Sequence, residues 1–270
     1  MAFDINNFVI DRIVRGVALS QKDDSVLFSI NQIQNASLNC ASESTDAVDA
    51  MGTPIATFYR AKTAEFSAEN AIFDMGLMAT QLGTEKKVAS ASSKIVVPAM
   101  VSFVVEGDTH ELKNTPKSYP VGDSTVSSVK EIYALNGDST FGTKYTAGTQ
   151  KSATEFVIEG NVITLPEGIA PGTEMFVMYE YETENAVEVV NSAKQFPTGC
   201  KFVMEVLGCD VCDQTNLVYA YVVFNNAKLS PDFDWSIATD GSHPFSMKAQ
   251  QAYCDKEKRL FSIIIPGDEK

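Results

Sequence analysis

From Val26 to Ala41 the side chains alternate in character. Phe28, Ile30, Ala36, Leu38 and Cys40 share one parity, and Ser29, Asn31, Asn35, Ser37 and Asn39 share the other. Gln32 and Gln34 interrupt the apolar set, and Ile33 interrupts the polar one. A period of two marks a strand with one buried face and one wet face. The wet face here is polar but uncharged, which is unusual for a face that meets only solvent. A second β-prone run, Ile55 to Phe66, follows the stretch Ser42 to Pro54, which holds Glu43, Asp46 and Asp49. The two runs read as a long hairpin with an acidic tip of about a dozen residues, and loops of that length in a compact fold are usually functional or disordered.

Ser67 can cap a helix over residues 68–82, with Gly83 as its stop. At about 100° per residue, Asp74 and Gln81 share one narrow stripe. Ile72, Phe73, Met75, Leu77 and Met78 make most of the rest apolar. Such a helix has to be covered on more than one side, by its own chain or by a neighbouring subunit.

Residues 84–94 read as a small, polar linker. Residues 96–190 then change texture, with short strands expected at 99–106, 130–135, 155–159, 161–165 and 174–182. Gly160-Asn161 centres a clear hairpin. This block holds 5 Lys, no Arg and 14 Asp+Glu, a net charge of −9 out of −14 for the chain. It reads as a small β-sandwich inserted into a discontinuous domain of residues 1–95 and 191–270. The first texture returns with strands expected at 201–207, 217–224, 232–238, 243–249 and 259–265. The expected fold class is mainly β, a sandwich or barrel flanked by one α-helix.

With 270 residues, 44% of them hydrophobic, the chain can bury a sizeable core, and global disorder is excluded. Its acidity argues against holding DNA, RNA or an anionic membrane surface through phosphate contacts. No apolar run reaches the roughly 18 residues of a membrane span. Met1 to Asn7 lacks the pattern of a secretory signal, so none is expected. Five cysteines (Cys40, Cys200, Cys209, Cys212 and Cys254) are an odd number and read as reduced thiols. Cys209 and Cys212 form the sharpest local motif, but no second pair exists for zinc and no helical pattern follows for redox work. They read as two thiols in a turn. His110 and His243, the two histidines, read as surface or turn residues. No catalytic, cofactor-binding or metal-binding residue is expected.

Residues 35–83 resemble a bacteriophage major tail tube protein. The resemblance rests on the hairpin Ser42-Glu43-Ser44-Thr45-Asp46-Ala47-Val48-Asp49, on Ile55-Ala56-Thr57-Phe58-Tyr59-Arg60, and on Ala71-Ile72-Phe73-Asp74-Met75-Gly76-Leu77. The run from Phe202-Val203-Met204-Glu205-Val206-Leu207 through Pro266 is similar in texture. The resemblance implies a homo-oligomer, six copies to a ring, with rings stacked into a hollow tube in the virion tail. It implies assembly in the host cytoplasm alongside tape-measure, sheath, baseplate and terminator proteins. It also implies an immunoglobulin-like module shown outside the tube, although such modules more commonly sit at a terminus.

On that reading Ser29, Asn31, Asn35, Ser37 and Asn39 face the lumen, where DNA passes transiently. Glu43, Asp46 and Asp49 reach the next ring. Ile72, Phe73, Met75, Leu77 and Met78 form a subunit-interface helix. An ordinary wet sheet face fits the first set equally well. Other readings are a capsid decoration or baseplate protein, an enzyme using Cys209 and Cys212, and a carbohydrate-binding module.

Overall fold

The computed structural model describes residues 5, 7–251 and 256–267. It is mainly β. The chain begins with strands β1 (Phe8–Ser20), β2 (Val26–Ile30), β3 (Ile33–Val48) and β4 (Pro54–Asn70), then helix α1 (Met75–Leu82). Eleven shorter strands follow: β5 (Lys87–Val88), β6 (Ile95–Val104), β7 (Thr109–Glu111), β8 (Ser118–Val121), β9 (Ser124–Ser127), β10 (Glu131–Leu135), β11 (Phe141–Ala147), β12 (Glu155–Glu159), β13 (Val162–Thr164), β14 (Glu174–Thr183) and β15 (Val187–Glu188). The chain closes with β16 (Gly199–Asp210), β17 (Asp213–Leu229), β18 (His243–Ala249) and β19 (Ser262–Ile264). Two compact units result, residues 1–86 with 189–270, and residues 87–188.

In the first unit the strand order is β2-β1-β16-β17-β18-β4-β3, with β19 added on β17. The two ends of this path, β2 and β3, are joined by only Asn31 and Gln32. Gln32 also meets the end of β4, where its amide donates to Asn70 Oδ1 and its carbonyl accepts from Ala71. A sheet whose two edges are held this close has to curl. The inner face is aromatic: Phe66 lies 5.8 Å from Phe202, 5.9 Å from Phe224 and 6.0 Å from Phe245, centroid to centroid. Each such pair contributes about 0.5–1.5 kcal/mol beyond its burial.

Helix α1 lies against β2 and β18. Asp74 caps its N-terminus, its side chain accepting from the Leu77 amide at 2.7 Å, and Gly83 ends it in the left-handed region. The helix is shorter than the expected 68–82. Ala64, Phe66, Ala68 and Asn70 are buried in alternation, and residues 65–70 pair with β18. Period two thus outcompetes the helical propensity of residues 68–71, and Ser67 is a strand residue, not a cap. Ile72 and Phe73 precede the helix. Leu77 and Met78 are 0% and 8% exposed, packed within their own unit, so they offer no surface to a neighbour.

The hairpin is also longer in strand than expected. β3 and β4 pair from Ile33↔Asn70 to Val48↔Pro54, leaving only Asp49–Thr53 as the turn. Residues 232–238, expected as a strand, form an irregular segment in which Trp235 stacks on Phe73 at 4.4 Å. The linker at 84–94 contains β5, which pairs with β15.

The second unit runs β6-β14-β10-β11-β12-β13-β7, with β11 and β12 parallel and the hairpin β8–β9 beside it. Its own core holds Ile132, Phe156, Ile163, Met175 and Val177, all fully buried. Among the described residues no helix is long and apolar enough to cross a membrane.

Candidate assembly surface

The β3–β4 hairpin leaves the body of the first unit as a two-stranded ribbon. From Asn39 to Val48 on β3, and from Pro54 to Thr63 on β4, every residue is exposed. Ten residues per strand at about 3.3 Å each make a ribbon on the order of 30 Å long. It carries large apolar side chains: Ile55 is 71% exposed, Phe58 56% and Tyr59 72%, with Met51 at the tip 90% exposed. A two-stranded ribbon wet on both faces is marginally stable in water. Ile55, Phe58 and Tyr59 raise the cost, because each keeps apolar area in water that burial would remove.

Glu43 pairs in register with Arg60, and Asp46 with Thr57, whose hydroxyl donates to the Asp46 carboxylate at 2.7 Å. Both are therefore strand residues of the ribbon, not loop residues as expected. Asp49 makes the turn: its Oδ1 accepts from the Met51 amide at 2.8 Å and the Thr53 amide at 2.9 Å. Those bonds, Thr53's first, hold its carboxyl below the ordinary carboxylate value. Ribbon direction is set by two kinks. Asn35 and Ala61 take left-handed backbone angles at the register shifts between Gln34 and Ser37 and between Ala41 and Glu43.

The polar set Ser29, Asn31, Asn35, Ser37 and Asn39 is exposed throughout, but it is not one strand face. Ser29 is on β2, Asn31 is in the connection, and Asn35 sits at a kink. Ser37 and Asn39 do share a face. They lie across from Ser67 and Glu65 of β4, which lie across from Ser246 and Lys248 of β18. Lys248 pairs with Glu65 at 3.5 Å and faces Lys228 of β17 in register. This outer face is polar and mixed in charge, and the sequence reading missed both lysines because strand partners are not visible along the chain.

His243, expected at the surface, is fully buried at the start of β18, and His110 is half-buried on β7, stacked on Phe103 at 3.6 Å. Cys209 is near the end of β16 and Cys212 lies in the β16–β17 turn, where Asp210 accepts from the Cys212 amide at 2.7 Å. Cys254 lies outside the described residues. Among the described residues no three His, Cys, Asp or Glu side chains gather as metal ligands would.

What decides the relationship is a family model, that of the YomU/Tube protein family, which matches residues 8–259. The chain belongs to the YomU/Tube protein family. The match takes in residues 8–86 and 189–259 of the first unit and the whole of the second. A search of curated proteins finds no match. The family relationship agrees with the resemblance to phage tail tube proteins. A YomU/Tube chain is thereby a structural protein of a phage tail, assembled with other tail proteins into a tube, and this role needs no catalysis. The ribbon of this YomU/Tube chain carries large apolar side chains that the described residues of its own unit leave exposed.

Proposed function

We propose that this protein forms six-membered rings that stack into the tail tube, and that the tube conducts viral DNA into the host. The observation that carries the reading is the ribbon. Its open edges and its exposed Ile55, Phe58 and Tyr59 would gain backbone partners and cover from other chains, and identical copies around a ring supply both at once. The turn at Asp49 is then the part that reaches the next ring.

The face bearing Ser37 and Asn39 is the proposed lumen wall. Its Lys248 is paired with Glu65, Lys228 stands beside it as the other lysine of the face, and the chain as a whole is acidic, so DNA meets few phosphate-binding contacts. The inserted unit is proposed as an immunoglobulin-like module. Assembly takes place in the host cytoplasm.

The test is negative-stain imaging of the purified full chain over a range of concentrations and salts. Rings or tubes are expected. A Phe58→Asp/Tyr59→Asp double variant, whose side chains touch solvent in the subunit, should melt at the wild-type temperature yet fail to assemble. Assembly by that variant as readily as wild type would overturn the role given to the ribbon.

A further inference from the structure

In the inserted unit, the sheet face turned away from the core is apolar at its centre. Met175, Val177 and Tyr179 of β14 are buried, which turns Phe176, Met178 and Glu180 outward. Register sets Met178 opposite Met100 of β6, and Phe176 opposite Tyr133 of β10. Phe141 of β11 completes the patch, its ring 5.0 Å from Tyr133 and 5.0 Å from Phe176. Met100 is 67% exposed, Phe141 61% and Met178 51%. Together they floor a groove of about 660 Å³. That is the scale of a small-molecule or short-oligomer site, not of a protein interface.

The rim is different in kind. Tyr119, from the β8–β9 hairpin, donates its hydroxyl to Glu180. Tyr133 donates to Glu131 at 2.5 Å, and Lys144 meets the same carboxylate at 3.0 Å. Lys117 pairs with Glu182 at 2.9 Å and sits 5.2 Å from the Tyr119 ring centroid. Lys130, Glu131 and Glu180 are the charged groups that line the groove itself. With the neighbouring Lys117–Glu182 pair and Lys144 counted in, three carboxylates stand against three lysines, so the surroundings of the groove are locally neutral while dense in donors and acceptors.

We propose that this groove is a binding site for an uncharged pyranose chain. A pyranose has an apolar C–H face and a hydroxyl-bearing edge. Phe141, Phe176 and Tyr133 offer flat apolar area to the first, and the paired carboxylates, lysines and tyrosine hydroxyls offer partners to the second. A polyanionic polymer would approach a unit of residues 87–188 that carries 7 Lys, no Arg and 14 Asp+Glu, and would be repelled. An apolar peptide or a second copy would cover the ion-paired rim and leave its polar groups dry. The neutral rim is complementary to a neutral polyol.

The test is calorimetric titration of the full-length protein with neutral hexasaccharides of glucose, galactose, mannose and N-acetylglucosamine, paired with methyl NMR of Met100 and Met178. At least one sugar should bind saturably and shift both methyl signals. Phe141→Ala should weaken that binding by about tenfold or more, the scale of losing an aromatic anchor. Met178→Glu, at an exposed position, is the second variant should Phe141→Ala fail to fold. Binding of none of the four sugars, or binding that survives both variants, overturns the proposal. So does binding of polyglycerol phosphate alone, or self-association abolished by Met178→Glu. The readout is ligand binding, so it is independent of whether the chain forms tubes.

Discussion

His243 Nε2 lies 2.8 Å from Gln81 Oε1, and both residues are fully buried. Gln81 Nε2 in turn donates to the Pro244 carbonyl at 3.1 Å. That orientation of the amide makes its oxygen an acceptor, so His243 carries its proton on Nε2. Its Nδ1 is then free to accept the Asp74 amide at 3.5 Å, a long and weak bond. One histidine thus ties β18 to both the start and the end of α1.

Gln81→Leu should destabilise the first unit. The substitution is near in volume but leaves the His243 N–H and the Pro244 carbonyl without partners, at about 1–3 kcal/mol for each orphaned group. Chemical unfolding of the full chain measures it. A loss below about 0.5 kcal/mol, the ordinary range for surface changes, would mean that the tie is not made.

The same histidine sets a pH response. Burial pushes its pKa below the ordinary value, with Asp74 opposing weakly. The folded form is then neutral where the unfolded chain begins to take up a proton. Stability from this site is fully present above the unfolded value, near 6.5, and is lost as pH falls below it. Protonation would also aim an Nδ1–H at the Asp74 N–H. The melting temperature should fall between about pH 7 and pH 5; a His243→Leu variant, less stable overall, should show a shallower slope, keeping only the share of the half-buried His110, whose value burial also lowers. Asp49 acts in a lower window. Its depressed carboxyl stabilises the ribbon turn above the ordinary carboxylate value and releases it as pH falls through the folded value.

Gly83 was legible as a helix stop, and its surroundings make it irreplaceable. Its φ is +70°, and an added Cβ would lie 2.2 Å from the Phe196 carbonyl carbon. Gly52 in the ribbon turn has φ +85° but nothing within 4 Å. Gly52→Ala should therefore cost only the left-handed backbone penalty, about 1 kcal/mol, with the ribbon pairing kept. Gly83→Ala should cost distinctly more, because backbone near Phe196 has to move. Equal changes in melting temperature would show that Phe196 gives way freely.

What could be read along the chain was what short-range pattern encodes. The strand over 243–249 has the limits expected because it alternates cleanly, and the one over 155–159 because its short apolar run is bounded by turn signals. The ribbon was seen but shortened. Its Ser, Thr, Ala and Asp content carries little β signal, and with both faces wet there is no alternation to read. Strand β1 was not seen at all, since register shifts at Ile10/Arg12 and Ile13/Arg15 scramble its period against β16. The helix starts later than its local pattern suggests, because residues 68–71 suit a helix locally and only the pairing with β18 reveals residues 68–70 as strand. Neither the aromatic floor around Phe141 nor the buried His243 tie could be found in one dimension. Their members come from strands far apart in sequence, and only the sheet order assembles them.

Thiol chemistry offers a direct test of the ribbon. Cys40 and Cys212 are exposed, while Cys200 is fully buried, with burial pushing its thiol up to about 11. In the isolated subunit iodoacetamide should label Cys40 and Cys212 readily and Cys200 only on unfolding, since the thiolate is the reactive form. Cys40 stands at the base of the ribbon, paired with Ala64. Once copies close over the ribbon, its labelling should slow by about tenfold or more, the factor that exclusion from solvent for nine-tenths of the time produces. Mass spectrometry of rings against subunits gives the ratio. A Cys40 rate that is the same in assembled rings as in subunits would place the contact between copies elsewhere on the molecule and leave the ribbon's exposed Phe58 and Tyr59 without the partner assigned to them.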